Sequence, residues 1–225
     1  MELINKYNFR ELKKIIDNQI FSRVLVVGGA YSFRKSGAEK LIYRLLKNRE
    51  IAIFLKTRKL PEFIELNKLI NLLKKFNPNL IISIGGGSVI DLSKISNVCF
   101  DIKNLKNKII KNNIPITKQF CNLIAIPTTA GSGAEVTTNA VIYINNKKYS
   151  VEDNLIKPTY MALFPDLVIN NDKLSIIQAS AFDSFAQAVE SMFSVKSNAE
   201  SLLYSKKSIS IFLENYKNFI SKKKS

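Results

Sequence analysis

The 225 residues of this chain can form one large domain or two small ones, and a hydrophobic content of 46% excludes wholesale disorder. The 34 Lys and Arg residues outnumber the 18 Asp and Glu residues, which gives a net charge of +16. Because the basic residues are scattered and cluster only at residues 222–224, a solvated basic surface is favoured over a nucleic-acid-binding surface. The chain contains no His, which excludes imidazole metal sites, Ser-His-Asp triads and imidazole acid–base chemistry within it.

Cysteine content and hydropathy predict the compartment. Cys99 and Cys121 are too few for a disulfide scaffold and lack Cys-x-x-Cys spacing, so we interpret them as small buried residues in a reducing environment. The N-terminal residues lack the apolar core of a signal peptide, and no run of 18 apolar residues occurs. We therefore expect a cytoplasmic protein that makes no membrane contacts.

Short β-rich runs alternate with amphipathic stretches from residue 22 onward, which is typical of a parallel sheet covered by helices. The predicted elements of this region are strands at 23–28, 51–55, 80–84 and 122–126 and helices at 37–47, 62–76 and 89–99. A hairpin over 136–151, with Asn145 and Asn146 in its turn, and short strands at 161–164 and 167–169 follow. From residue 172 onward only helices are predicted, at 174–193 and 199–219.

This order predicts an α/β fold: a Rossmann-like, doubly wound and mainly parallel sheet followed by the first helices of an all-α domain. The first domain is expected to span residues 1–170. Residues 171–225 are expected to begin a helical domain that this chain does not complete.

The sharpest junction in the sequence is the run Gly85, Gly86, Gly87 and Ser88 directly after an apolar strand. Glycines let the backbone approach a ligand, and the start of the following helix favours an anion, so this loop is interpreted as a phosphate cradle. Ser88 is predicted to cap the helix, and Asp91 is predicted to lie in its first turn, near a ribose or nicotinamide. The run matches neither Gly-x-Gly-x-x-Gly nor a Walker loop, and a tight turn without a ligand is the alternative.

A second loop of small residues follows the strand that ends near residue 126. It supplies the hydroxyl groups of Thr128, Thr129 and Ser132 together with two glycines. Two such loops at the carboxyl ends of strands in one sheet are what a doubly wound nucleotide site requires.

The two loops together, Gly-Gly-Gly-Ser-Val-Ile-Asp at 85–91 and Ile-Pro-Thr-Thr-Ala-Gly-Ser-Gly-Ala-Glu-Val-Thr at 126–137, resemble those of iron-containing (group III) alcohol dehydrogenases. The resemblance extends over residues 23–216. Within the family, the segments at 148–151, 182–191 and 193–201 are most similar to the phosphonoacetaldehyde reductase branch. Members of the family continue well beyond the last residue of this chain, so the chain is expected to be C-terminally shortened.

The resemblance implies a set of residues that bind NAD or NADP. Four of them would hold the pyrophosphate and the neighbouring ribose, three would line the adenosine and diphosphate side, and one would lie near the nicotinamide ribose. In that order they are Gly86, Gly87, Ser88 and Asp91; Thr128, Thr129 and Ser132; and Lys148.

Cofactor preference is predicted from the end of the first strand of the domain, where many members of the family carry an Asp that binds the adenosine 2′-hydroxyl. Gly29 stands at the corresponding place and leaves space for a 2′-phosphate. Ser32, Arg34 and Lys35 could donate to that phosphate, which favours NADP(H) over NAD(H). An exposed loop without this role is the alternative.

The resemblance also implies a divalent metal, Fe or Zn, held by an Asp, a His four residues later and two further His. Asp183 and Gln187 match the first two positions and share one helix face. An amide oxygen is a weaker ligand than imidazole, so two interpretations stay open: metal ligands, or polar residues facing a cleft.

The resemblance implies an NAD(P)-dependent alcohol dehydrogenase or aldehyde reductase that transfers hydride between nicotinamide and a small alcohol or aldehyde, with phosphonoacetaldehyde suggested by the branch. A nucleotide-binding module without catalysis is the alternative, and a basic nucleic-acid-binding protein is a remote one. Apolar positions on the last helix, including Ile209, Phe212 and Leu213, suggest a homodimer.

Overall fold

The computed structural model describes residues 2–4, 9–19, 21–170 and 174–221. The strands are β1 (Glu2–Ile4), β2 (Arg23–Gly29), β3 (Glu50–Lys56), β4 (Leu80–Gly85), β5 (Asn122–Pro127), β6 (Asn139–Ile144), β7 (Lys147–Glu152) and β8 (Tyr160–Ala162). The helices are α1 (Phe9–Asn18), α2 (Ser32–Lys35), α3 (Ala38–Leu45), α4 (Phe63–Phe76), α5 (Gly87–Val98), α6 (Leu105–Ile110), α7 (Pro165–Ile169), α8 (Leu174–Phe193) and α9 (Ala199–Ser221), with a short 3-10 turn at Asn154–Ile156. The basic cluster at 222–224 lies outside the described residues.

Six of the strands form one sheet in the order β1-β8-β5-β4-β2-β3, and every neighbouring pair is parallel. The chain moves from β2 outward to β3 and then returns to the other side of β2 to form β4. The order therefore reverses between β2 and β4, and in such sheets ligands bind beside the carboxyl ends of the strands at this reversal. The predicted Rossmann-like α/β fold is confirmed.

Each face of the sheet packs against helices, which explains why its central strands are continuously apolar. Leu25 and Val27 of β2 pack on one face in a cluster that includes α4, α5 and the β6–β7 hairpin. Val24 and Val26 point to the other face and pack with residues of α1 and α3. Alternate residues of one strand thus enter two separate halves of the core.

The predicted hairpin is confirmed: β6 and β7 pair antiparallel around Asn145 and Asn146. These two residues have φ values of 50° and 62°. A two-residue turn that matches the twist of its strands requires positive φ at both positions, and Asn tolerates it better than most side chains.

Two long helices follow the sheet, as predicted, and α8 has the predicted bounds. The ring of Phe212 on α9 lies 4.7 Å from that of Phe185 and 5.4 Å from that of Phe182 on α8, so aromatic packing joins the two helices. Several large apolar side chains of the pair are nevertheless exposed, among them Leu203 and Leu213.

Two predictions about short elements were wrong or incomplete. Residues 167–169 were expected to form a strand but belong to α7, because Pro165 occupies a first-turn position and Asp166 lies in the first turn, where both favour a helix start. The pairing of β1 with β8 and the docking of α1 were not predicted.

Among the described helices, none is both long and apolar enough to cross a membrane.

Candidate functional site

The first small-residue loop joins β4 directly to α5. Gly86 occupies the N-cap position with φ −73° and ψ 175°, and no side chain caps the helix start. The prediction that Ser88 is the cap was wrong, because the helix begins two residues earlier than predicted, at Gly87. Backbone N–H groups at an uncapped helix start are suited to an anion such as a phosphate.

The two loops pack closely at Gly86 and Gly87, most tightly at Gly87. A Cβ atom on Gly87 would lie 2.5 Å from Ser132 Oγ, and one on Gly86 would lie 3.3 Å from Thr129 Oγ1. The backbone N–H of Thr128 donates to Gly85 O at 3.0 Å. The structure therefore brings the predicted residues of both loops together at the carboxyl edge of the sheet.

Thr128 is the least accessible residue of the second loop. Its exposed fraction is 1%, and its Oγ1 atom is buried with no hydrogen-bond partner among the described residues. A buried hydroxyl without a partner is unfavourable and is uncommon unless a ligand or water completes it. This atom supports a ligand-binding role for the loop.

Asp91 connects α5 to the hairpin. Its carboxylate accepts a hydrogen bond from the backbone of Val141, and burial raises its pKa to about 6, while Lys94 and Lys148 act in the opposite direction. Lys148 is exposed on β7. Asp91 was expected in the first turn of the helix, but α5 carries no acidic residue there, since Asp91 is its fifth residue.

The Asp91→Asn variant tests this partly buried carboxyl. Because its pKa in the folded chain lies above the ordinary value of 3.8, Asp91 favours folding below that value, and this contribution is lost as the pH rises through about 6. The variant lacks this loss, so its unfolding free energy relative to the wild type should increase by on the order of 2 kcal/mol between pH 4 and pH 7. Urea denaturation at both pH values measures the difference.

The exposed Thr117→Val variant is the control: neither side chain titrates, so its difference from the wild type should stay constant over this range. A constant difference for Asp91→Asn as well would contradict the raised pKa.

Lys94 is a buried residue of this region that the sequence analysis did not identify. Its side chain has an exposed fraction of 0%, and its Nζ atom lies within hydrogen-bonding distance of Ala134, Thr137 and Asn139. Burial lowers its pKa to about 8, although Asp91 and Glu135 act to raise it. Its position three residues after Asp91, on the same side of α5, was the available signal.

The end of β2 lies beside the start of α2. A Cβ atom on Gly29 would lie 2.7 Å from Ser32 Oγ, and the backbone N–H of Ala30 donates to Lys56 O at 2.8 Å. Arg34 forms an exposed ion pair with Glu39 at 3.5 Å. Ser32 is therefore adjacent to Gly29, as the predicted 2′-phosphate site requires.

The two predicted metal ligands are exposed side chains of α8. Gln187 Nε2 donates to Gly131 O at 3.3 Å, so its amide already contacts the second loop. Within the described part of the chain, no group of three or more His, Cys, Asp or Glu side chains could hold a metal ion. The donor set here does not complete an iron or zinc site, and binding through Asp183 and Gln187 stays a prediction.

The second loop also borders an open cavity of about 860 Å³ that residues of α7, α8 and α9 line as well. Most of its lining is apolar, with Lys207 and Asn215 among its polar residues. Gly131 touches α8 so closely that a Cβ atom there would lie 2.6 Å from Ser180 O. The second loop thus contacts both the first loop, Gly85–Ser88, which we call the glycine cradle, and helix α8.

Burial disfavours the thiolate form of both cysteines. Burial raises the pKa of Cys99 and that of Cys121 to about 12. The interpretation of Cys99 as a small buried residue is confirmed, whereas Cys121 is only partly buried.

The profile of iron-containing alcohol dehydrogenases matches residues 3–170. The chain belongs to this family. The resemblance identified from the two loops is therefore confirmed, and the match includes the sheet, both loops and the hairpin.

One relative in sequence and two solved structures of the same fold illustrate what the chain is similar to. Aldehyde-alcohol dehydrogenase 2 of Entamoeba histolytica is 29% identical over 210 residues, which cover 86% of this chain and 24% of the enzyme. The structure of NADH-dependent butanol dehydrogenase A from Thermotoga maritima shares the fold with a TM-score of 0.86 at 20% identity, covering 99% of this chain and 56% of that one. Sulfoacetaldehyde reductase of Bifidobacterium kashiwanohense, solved with NAD+, has a TM-score of 0.74 at 23% identity over 84% of this chain and 50% of its own.

The chain thus spans about a quarter of the Entamoeba enzyme and about half of the two solved structures.

Proposed function

We propose that this chain binds a nicotinamide dinucleotide and contributes it to an alcohol dehydrogenase or aldehyde reductase reaction. The observation that carries the proposal is the buried, unpartnered hydroxyl of Thr128 beside the uncapped start of α5. Both features are hydrogen-bond donors without an acceptor, and a pyrophosphate would supply acceptor oxygens together with the negative charge that a helix start favours. The reversal of strand order between β2 and β4 supports the same location.

The glycine cradle, Gly85–Ser88, would offer a dinucleotide close backbone approach and the N–H groups of an uncapped helix start. Gly86 and Gly87 would let the pyrophosphate approach the backbone, while the hydroxyls of Thr128, Thr129 and Ser132 would donate to its oxygens or to the adenosine side. Asp91 and Lys148 would lie near the nicotinamide ribose. When bound, the dinucleotide would supply the hydride that is exchanged with the carbon of a small alcohol or aldehyde.

A titration of the purified chain with NADPH and with NADH tests this proposal. Because the chain contains no Trp, the fluorescence of the nicotinamide itself is the readout. Saturable binding that adenosine diphosphate competes away supports the proposal. A wild-type chain that is folded by circular dichroism and binds neither nucleotide overturns it.

We also propose a preference for NADP(H), which the Gly29→Asp variant tests. A carboxylate at this position would repel a 2′-phosphate and would accept hydrogen bonds from a free 2′-hydroxyl. Only the flexible end of Ser32 would have to move to admit the new Cβ atom. The variant should lose about tenfold in affinity for NADPH, the effect of one hydrogen bond to a charged group, and should keep or gain affinity for NADH.

The control is Thr117→Asp, which introduces the same carboxylate at an exposed position and should change neither affinity. The nearer Ser36 is buried and is therefore unsuitable. Equal losses for both nucleotides in Gly29→Asp would contradict the 2′-phosphate site.

The substrate class we propose is a small aldehyde or primary alcohol, with phosphonoacetaldehyde suggested by the resemblance at 182–191. Metal binding through Asp183 and Gln187 remains part of this proposal, and no step is assigned to it. A homodimer that covers the apolar side chains of α8 and α9 is the proposed assembly.

The second candidate is a nucleotide-binding module without catalysis. It is favoured by the incomplete set of metal ligands among the described residues and by the absence of His from the sequence. Dinucleotide binding without aldehyde turnover, with or without added Fe²⁺ or Zn²⁺, would support this candidate over the first.

A further inference from the structure

Lys94 is the most completely buried charged side chain near the proposed site. Its Nζ atom lies 2.9 Å from Ala134 O, 2.9 Å from both Thr137 O and Thr137 Oγ1, and 2.5 Å from Asn139 O. An ammonium has three N–H groups, and all three have acceptors here. Three of the four oxygens are backbone carbonyls, so the side chain ties one helix to one continuous stretch of loop.

That stretch, residues 134–139, links the second loop to β6. Within it, the backbone N–H of Asp153 donates to Thr138 O at 3.1 Å, and strand pairing begins where Asn139 pairs with Glu152. Thr137 Oγ1 adds a weak internal contact to Asn139 O at 3.2 Å. The ammonium of Lys94 thus binds the carbonyls of Ala134, Thr137 and Asn139, while the backbone N–H of Asp153 binds that of Thr138.

A direct chain of contacts leads from Lys94 to the glycine cradle. The carbonyl of Ala134 accepts a hydrogen bond from the ammonium of Lys94. The backbone N–H of Ala134 donates to Ser132 Oγ at 3.4 Å. Ser132 in turn lies over Gly87, where an added Cβ atom would lie 2.5 Å from its hydroxyl. Ala134 is also buried against Ile90 of α5.

A buried lysine with only a packing role would be unfavourable, because a Met side chain fills a similar volume without desolvating a charge. The carboxylates of Asp91 and Glu135 are the charged groups whose fields act on Lys94 and favour its ammonium form. The ammonium of Lys94 lies where carbonyls of residues 134–139 converge. We take this arrangement to mean that the conformation of these residues depends on the ammonium.

We propose that Lys94 is a positioning residue for the dinucleotide site, because it holds residues 134–139 and thereby sets the second loop against the start of α5. This inference rests on the proposed function. Lys94 itself does not contact the cofactor in this assignment; it acts through Ala134 and Ser132.

The test compares Lys94→Met with the wild type in two measurements on the full chain. Amide hydrogen exchange, followed by mass spectrometry, reports the order of residues 132–141 without any ligand. NADPH titration, followed by nicotinamide fluorescence, reports the site. We expect exchange in residues 132–141 to become at least tenfold faster, exchange in β2 and β4 to stay unchanged, and the dissociation constant for NADPH to rise at least tenfold.

Two controls separate positioning from general destabilisation. Lys68→Met removes an exposed lysine from α4 and should change neither measurement. Leu45→Ala removes buried side-chain volume at the end of α3, at the amino edge of the sheet and away from the two loops. This variant should lower the unfolding midpoint and leave the affinity for NADPH unchanged. If Lys94→Met does not fold, Thr137→Val, which removes one of the four acceptors, should show the same two changes at about threefold.

Three outcomes overturn the proposal: unchanged exchange in residues 132–141, faster exchange with unchanged NADPH affinity, or an equal loss of affinity in Leu45→Ala. A wild-type chain that binds neither dinucleotide overturns the proposed function and with it the cofactor role of Lys94. In that case the exchange rates still show separately whether Lys94 anchors the loop.

Discussion

Gly87→Ala should weaken dinucleotide binding by about a hundredfold while the sheet remains folded. The added Cβ atom would lie 2.5 Å from Ser132 Oγ and 2.9 Å from Ser132 Cβ, so the second loop has to move away from α5. Displacing the loop would break about two hydrogen bonds to the charged pyrophosphate, each contributing about 1.5 kcal/mol, which together correspond to a hundredfold change in the dissociation constant.

NADPH titration and thermal unfolding of the same samples check this expectation. Alanine has a higher helix propensity than glycine, and the first turn of α5 accepts it, so the unfolding midpoint should change little. Leu45→Ala is the matched control with the opposite pattern: a loss of about 2 to 5 kcal/mol in stability and no loss of affinity. Undiminished NADPH binding by Gly87→Ala would show that the ligand does not use the contact between the two loops.

Thr128→Val should change stability and binding in opposite directions. The substitution keeps the shape of the side chain and removes a buried hydroxyl that has no partner in the described structure, which should stabilise the ligand-free chain by about 1 kcal/mol. The same change removes a donor to the proposed pyrophosphate, and the affinity for NADPH should fall about tenfold.

Urea denaturation without ligand and NADPH titration measure the two effects. Thr117→Val, at an exposed position, should alter neither of them by more than about 0.5 kcal/mol. A Thr128→Val variant that loses stability would mean that the hydroxyl has a partner in the ligand-free chain, and an unchanged affinity would remove Thr128 from the site.

Element type and order were predictable wherever the local pattern was long and periodic. The apolar run before Gly85, the amphipathic α4 and the 20 residues of α8 all lie where the hydrophobic period places them. The paired asparagines of the hairpin were a local signal of the same kind. Residues 167–169 were mistaken for a strand because a segment of three apolar residues is too short to show either period.

The closeness of the two loops was predictable from the sequence, but their atomic contacts were not. The two glycine- and hydroxyl-rich loops follow strands in the sequence, and parallel strands place such loops at one edge. Ser88 was wrongly predicted as the cap because Ser is preferred there, whereas Gly86 takes the position here. Lys94 was overlooked because a lone lysine on a helix is usually exposed, and its acceptors are 40 to 45 residues away in the chain.

The sequence by itself determined the α/β class, the two loops and the family, because hydrophobic period, turn chemistry and motif residues are local properties of the chain. Only the tertiary structure decided that Ser132 lies over Gly87, that the hydroxyl of Thr128 is buried without a partner, and that Lys94 collects carbonyls of residues 134–139. These are contacts between segments distant in the chain, and they depend on how strand order and helix docking place those segments at atomic distance.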